Sequence, residues 1–113
     1  MQRLGVLAIA GIMAVSVAGS ANAGERLSTR AIKQLFPGQF SAVVKGYNVH
    51  FRARRDGSLV GSYLTATDTG RWSIRRGRLC IMLKDWMKGK TTCSSVVQVG
   101  AWYKAKNVKF RKL

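Results

Sequence analysis

Five arginines, Arg52, Arg54, Arg71, Arg75 and Arg78, recur at spacings that alternation along extended chain would send to one face. A guanidinium row of that kind grips phosphate or carboxylate through paired hydrogen bonds. Trp86, flanked by Met87 and by Lys84, Lys88 and Lys90, adds an aromatic surface ringed by cations, which suits an anionic glycan or lipid headgroup. The ligand-binding candidates are therefore Arg52, Arg54, Arg71, Arg75, Arg78, Trp86 and Lys88. A competing reading makes the arginines a solvated face that deters aggregation, and Trp86 a plug folded back into the core. A second basic cluster, Lys104, Lys106, Lys109, Arg111 and Lys112, is interleaved with Trp102, Tyr103 and Phe110, a mixture that also stacks on bases or sugars or sits at a lipid surface. Alternation assigns Tyr103 and Phe110 to the core and leaves Trp102 open.

Catalysis finds little support. His50, the only histidine, could join Ser73 and an aspartate in a hydrolase triad, but no nucleophile-elbow motif is present. The acidic residues number four, and Asp56 and Asp68 are better explained as turn formers than as a glycosidase pair. Gly89-Lys90-Thr91 resembles the end of a phosphate-binding loop, yet Lys84 stands where its first glycine is required. The expectation is a non-enzyme with no catalytic residues and no cofactor. Cys80 and Cys93 are the two cysteines, and a disulfide between them would close a loop of about a dozen residues. A zinc site would need ligands beyond His50 at no recognisable spacing, so no metal is expected.

The compartment follows from the N-terminus. Arg3, the apolar run over residues 4–18 and the small-residue triplet Ala21-Asn22-Ala23 read as a secretory signal peptide over residues 1–23. The apolar run is shorter than the ~18–20 residues a spanning helix needs, and no cysteine lies near enough to carry a lipid anchor. Removing those 23 of 113 residues leaves 90, enough for one small domain over residues 24–113. The 20 basic residues less Arg3, set against four acidic ones, leave that domain at +15. Such a field favours polyanions and does not specify a fold.

Those side chains must be positioned mainly by strands. Ser28 caps a short helix at about residues 28–36, with Ile32, Leu35 and Phe36 on one side and Pro37-Gly38 ending it. From Gln39 the period becomes two and turn residues recur at short intervals, the pattern of an antiparallel meander. A two-residue turn at Asp56-Gly57 would set Ala53 opposite Val60, Phe51 opposite Ser62, Val49 opposite Leu64 and Tyr47 opposite Ala66, giving one apolar face. A second turn at Arg76-Gly77 pairs Ile74 with Leu79 and Trp72 with Ile81. A five-residue loop over 66–70, with Gly70 in a bulge, would join the two hairpins. Direct pairing of Cys80 with Cys93 would register a third hairpin, between strands at about 78–84 and 91–99. Two more strands would turn near Asn107. In these registers one outward row is Arg52, Gly61, Arg75 and Arg78, and the next is His50, Tyr63, Ser73, Cys80 and Cys93. The fold class is all-β: an up-and-down meander of seven or eight strands curling into a barrel or half-barrel, its open end covered by the N-terminal helix, with an open sandwich as the alternative.

The run Asp68-Thr69-Gly70-Arg71-Trp72, followed by Gly77-Arg78-Leu79-Cys80, Trp86, Gly89 and Cys93, resembles a family of small exported alphaproteobacterial proteins of uncharacterised function. Leu35-Phe36-Pro37-Gly38 and Asp56-Gly57 extend the likeness over most of the chain after residue 23. Leu83 stands where that pattern has a further tryptophan. The resemblance implies export, a disulfide and a small β domain, and it implies no mechanism.

These readings converge on an exported, periplasmic or secreted, non-enzymatic binding module. Its expected partners are lipopolysaccharide, anionic polysaccharide or a membrane surface, with nucleic acid bound only through unspecific charge. A protein-interaction or inhibitor module using the hairpin loop between Cys80 and Cys93 is the alternative, and a small hydrolase a remote one. Lysozyme inhibition is disfavoured, since lysozymes are typically basic. The oligomeric state is not legible.

Overall fold

The structure is a computed structural model that describes residues 24–113; residues 1–23, read above as a signal peptide, lie outside the described residues. Strand β1 (Glu25–Arg26) leads into helix α1 (Thr29–Leu35). The Ser28 hydroxyl accepts the Ala31 amide at 3.1 Å, and Ile32 and Leu35 are buried, so the capped helix lies where the sequence sets it. There follow β2 (Gly38–Val44), β3 (Tyr47–Ala53), β4 (Ser58–Tyr63), β5 (Ala66–Arg75), β6 (Arg78–Leu83), β7 (Thr91–Ser94), β8 (Val97–Val99), β9 (Trp102–Ala105) and β10 (Val108–Lys112).

Among the described residues all ten strands form one antiparallel sheet in the order β1-β8-β9-β10-β2-β3-β4-β5-β6-β7, curled into a half-barrel. The last strand pairs with the first long one, β10 with β2, from Val108 opposite Val44 to Lys112 opposite Phe40. The antiparallel pairings make β7 and β8 run the same way, so the single strand expected near 91–99 is split at Ser95-Val96. Its first half bonds to β6 and its second to β9. Val96, fully buried, is the pivot, and its carbonyl accepts the Leu27 amide at 2.8 Å. That bond and the pairing of β1 with β8 cover an edge the split would expose.

Helix α1 closes one end of the half-barrel. Ile32, Leu35 and Phe36 join Phe40, Leu59, Leu79, Val96 and Phe110 in the core. Phe36 packs 4.6 Å from Phe40 and 5.2 Å from Trp72 between ring centroids, contacts worth ~0.5–1.5 kcal/mol each beyond the area they bury. The Trp72 indole N–H donates to the Arg54 carbonyl at 2.7 Å, and Lys112 Nζ donates to the Leu35 carbonyl at 2.8 Å. At the opposite end lie the β2–β3, β4–β5 and β9–β10 turns and the 84–90 loop.

Two hairpins match the sequence expectation. Arg76 (φ 49°) and Gly77 (φ 77°) turn β5 into β6, with Ile74 opposite Leu79 and Trp72 opposite Ile81. Cys80 lies opposite Cys93, and the two are joined as a disulfide across a separation of 13 residues, a loop closure worth ~3 kcal/mol through the unfolded chain.

Two other expectations are corrected. At Asp56-Gly57 only Gly57 takes a positive φ (93°), and the Arg54 amide bonds the Ser58 carbonyl, so the loop holds three residues, 55–57. The cause is Asp56. Its carboxylate accepts the Ser58 amide at 2.8 Å and the Ser58 hydroxyl at 2.7 Å, a local turn that competes with the two-residue geometry. The extra residue shifts β4 by one, so Leu59 and Gly61 face inward where Val60 and Ser62 were expected. The second correction concerns β4 and β5, which meet at a tight turn over Leu64-Thr65, with Leu64 at φ 53°. Residues 67–70 therefore belong to strand β5, and no loop over 66–70 exists. Leu64, in the turn, is 85 % exposed and lies off the inner face, whereas Tyr47 keeps the inner-face alternation of Val49 and Phe51 but stands at the rim, 56 % exposed.

The hydrogen bond from the Ser58 hydroxyl, then that from its amide, then the charges of Arg54 and Arg71 hold the Asp56 carboxyl below its ordinary value of 3.8. This depressed value makes the turn's contribution complete above pH 3.8 and fade as pH falls through the lower folded value. An NMR titration should show the Asp56 midpoint below 3.8 and moved upward in Ser58→Ala; an unchanged midpoint in the variant would refute the assignment.

Candidate functional site

The five candidate arginines do not form one stripe. Arg52 lies in a row with Gln39, Val60 and Thr69, whereas Arg75 and Arg78 face each other beside the β5–β6 turn at the helix-covered end. Arg71 pairs with Ser58 and Met82, and its guanidinium reaches within 3.5 Å of the Asp56 carbonyl. The added length of β5 sets Arg52 apart from Arg75 and Arg78, while Arg54 and Arg71 flank Ser58 in one row. The tight Leu64-Thr65 turn dismantles the nominal triad: His50 is level with Ser62 and Thr67, while Ser73 is level with Cys80, six residues further along β5.

Closure of β10 on β2 assembles a different basic surface. Phe110, Ala42, Val49 and Tyr103 point inward, so alternation turns Lys109, Arg111, Ser41, His50, Arg52, Lys104 and Trp102 outward. Arg111 sits opposite Ser41, which sits opposite His50, and Arg52 follows in the next row. Lys109 stands directly opposite Lys104, a like-charge cross-strand pair that costs stability. The Trp102 ring lies under both Lys109 Nζ, 5.0 Å from its centroid, and Arg111 Cζ, 5.4 Å away. His50, Arg52 and Arg54, with Val60 and Ser62, line a depression of about 110 Å³ on the same outer wall.

No acidic side chain sits among these residues. Asp68 is buried, Asp85 lies in the 84–90 loop, Asp56 on the β3–β4 turn and Glu25 in β1. The sequence pointed to Arg52 and Arg54 in one cluster and to Lys104, Lys109 and Arg111 in another. It did not reveal that they share a wall, because the strand pair that joins them is separated by most of the domain.

Trp86 is held by a residue that the sequence assigned to a turn. Asp68 is 4 % exposed and lies within β5. Its carboxylate accepts the amides of Thr69 at 2.9 Å, Asp85 at 3.0 Å and Trp86 at 2.8 Å, tying the 84–90 loop to the wall. The Trp86 ring leans inward over Gly61, where an added Cβ would come 2.7 Å from Cζ3, yet 39 % of the residue remains exposed. It thus covers part of the barrel end while offering one edge to solvent. Lys88 is exposed on the same loop at φ 54°. Behind Trp86 the concave face of the half-barrel forms a half-open apolar cavity of about 360 Å³.

The residues of the Asp68-to-Cys93 pattern have structural tasks. Asp68 anchors the loop, Gly70 lies against the β6 backbone, Trp72 bonds Arg54, Gly77 and Gly89 take positive φ, and Cys80 and Cys93 bridge β6 to β7. Among the described residues no helix is long and apolar enough to cross a membrane. Comparison with protein-family models, with curated proteins and with solved structures finds no match for this chain.

Proposed function

We propose that this protein is an exported, non-enzymatic binding module for an anionic polymer of the cell envelope or its surroundings, such as lipopolysaccharide or an acidic glycan. The contact surface is the outer wall formed by β9, β10, β2 and β3. The observation that carries this reading is Trp102 flanked by Lys109 and Arg111 and continued by His50 and Arg52 on a wall without an acidic side chain. Cations held side by side at a cost in stability gain most from a polyanion laid across them, and an aromatic ring beneath them suits the apolar face of a sugar. Export rests on the N-terminal sequence together with the disulfide, a bond that persists in oxidising compartments.

The test is binding of the disulfide-bonded protein to purified lipopolysaccharide, to heparin and to duplex DNA at two salt concentrations. Arg52→Ala with Arg111→Ala should weaken lipopolysaccharide and heparin binding by about tenfold or more. On duplex DNA the same pair should reduce the slope of log affinity against log salt by about two. Arg75→Ala with Arg78→Ala, at the helix-covered end, should change the glycan affinities far less. Equal losses from the two pairs, or no loss from the first, would remove this wall as the binding surface.

A further inference from the structure

We propose that the interior of the half-barrel binds the hydrocarbon chain of a fatty acid, with the carboxylate held between Lys45 and Lys106 at the mouth. This inference stands independently of the outer-wall reading, since it uses the opposite face of the strands.

The cavity has a directed shape. Phe40, Val49, Phe51, Leu59, Ile81 and Phe110 are among the side chains that line it, and Phe36 from the helix-covered end lies at its floor. The walls are hydrogen-bonded strands tied to their neighbours along ladders of up to seven residue pairs, so they cannot move inward to fill the space as loosely tethered side chains would. Its charged lining gathers at one place. Val44 opposite Val108 ends the β2–β10 ladder, and the chain continues on one side into the Lys45-Gly46 turn and on the other into Lys106-Asn107. The two turns therefore sit side by side, and Lys45, Lys106 and Asn107 all border the cavity. Both lysines are exposed, and each is fixed in a tight turn at positive φ, 50° and 54°.

The seam in the sheet supplies a way in. Among the described residues β7 bonds only to β6, and β9 bonds to β8 and β10, so no ladder joins β7 to the β9–β10 turn. Thr92 and Ser94 border the cavity from one side of that seam, and Ala105 and Lys106 from the other. An apolar chamber with a pair of ammonium groups and an amide at its opening is complementary to a single hydrocarbon chain ending in an anion. A methylene group occupies roughly the ~30 Å³ that a water molecule takes in the liquid, so the chamber holds a chain on the order of a dozen carbons. Lauric acid is the matching probe.

Isothermal titration calorimetry of the disulfide-bonded protein with laurate, below its micelle concentration, should show one site per chain. Lys45→Glu with Lys106→Glu, both at exposed turn positions, should weaken laurate by about tenfold or more. The same pair should leave 1-dodecanol, which has the same tail without the charge, unchanged. Ala42→Phe projects a ring from the buried wall into the chamber and should abolish binding of both molecules. Arg52→Ala with Arg111→Ala should leave laurate binding unaltered, which separates failure here from failure of the outer-wall reading. Absence of laurate binding by the unaltered protein, or binding that survives a folded Ala42→Phe, overturns the proposal. So does laurate affinity indifferent to the two lysine substitutions, a result that stands even where Ala42→Phe fails to fold.

Discussion

Gly70→Ala is expected to destabilise the fold severely, although it adds one methyl group. Gly70 is buried in β5, between Leu59 of β4 and Leu83 of β6. A Cβ built there collides with the Met82 carbonyl oxygen and lies 2.7 Å from the Met82 carbonyl carbon and 2.9 Å from the Leu83 Cα. These are backbone atoms of a paired strand, so no rotamer change relieves the contact. The sheet must bow or the β5–β6 ladder must part. A loss of about 3 kcal/mol or more is expected, near the severe end of single substitutions. In a domain of this size it lowers the melting midpoint by about 12 °C or more. The measurement is thermal unfolding of the oxidised protein. Gly46→Ala, at a turn where an added Cβ meets nothing within 4 Å but φ is 84°, serves as the milder comparison. Equal midpoints for Gly70→Ala and the unaltered protein would show that β5 and β6 do not approach as described.

Asp68→Ala is expected to cost about 3 kcal/mol, because it removes the acceptor for the amides of Thr69, Asp85 and Trp86 at once. Hydrogen bonds to an ionised acceptor are the stronger kind, and amide groups left without partners beside a buried site carry a desolvation cost. Asp68→Asn retains one acceptor oxygen and should lose roughly half as much. The loss is not only global. Freed from the wall, the 84–90 loop should let Trp86 swing off Gly61, and hydrogen exchange at the Asp85 and Trp86 amides should accelerate beyond that of the β5–β6 ladder. Unfolding in urea gives the first quantity and amide exchange by NMR the second. If both amides stayed as protected as the ladder in Asp68→Ala, the carboxylate would not be what holds the loop.

Local chemistry explains why much of the fold was legible in the residue order. Ser28 before an apolar helical face, Arg76-Gly77 between alternating strands and two cysteines at equivalent hairpin positions each act over a few residues. They read correctly as cap, turn and register pin. The errors also have local causes. Asp56 bonds its own neighbour Ser58 and lengthens a turn by one residue, which turned every β4 side chain to the other face. Leu64 takes a positive φ that large apolar side chains rarely adopt, so a search for glycine, asparagine or aspartate passes over that turn. Asp68 looks like a turn former because buried carboxylates are rare, and only the 84–90 loop folded against it reveals three amides to accept.

The residue order by itself determined an all-β meander with a capped helix, a disulfide-registered hairpin and a large positive charge, because alternation, capping and turn formation depend on neighbours in the chain. The tertiary structure alone decided which cations share a wall and what the strands enclose. β10 must return across most of the domain to pair with β2 before Arg111 meets His50, or Lys45 meets Lys106. No short-range pattern encodes that closure, since it arises from the curvature of the whole sheet and from the apolar faces that the curling buries.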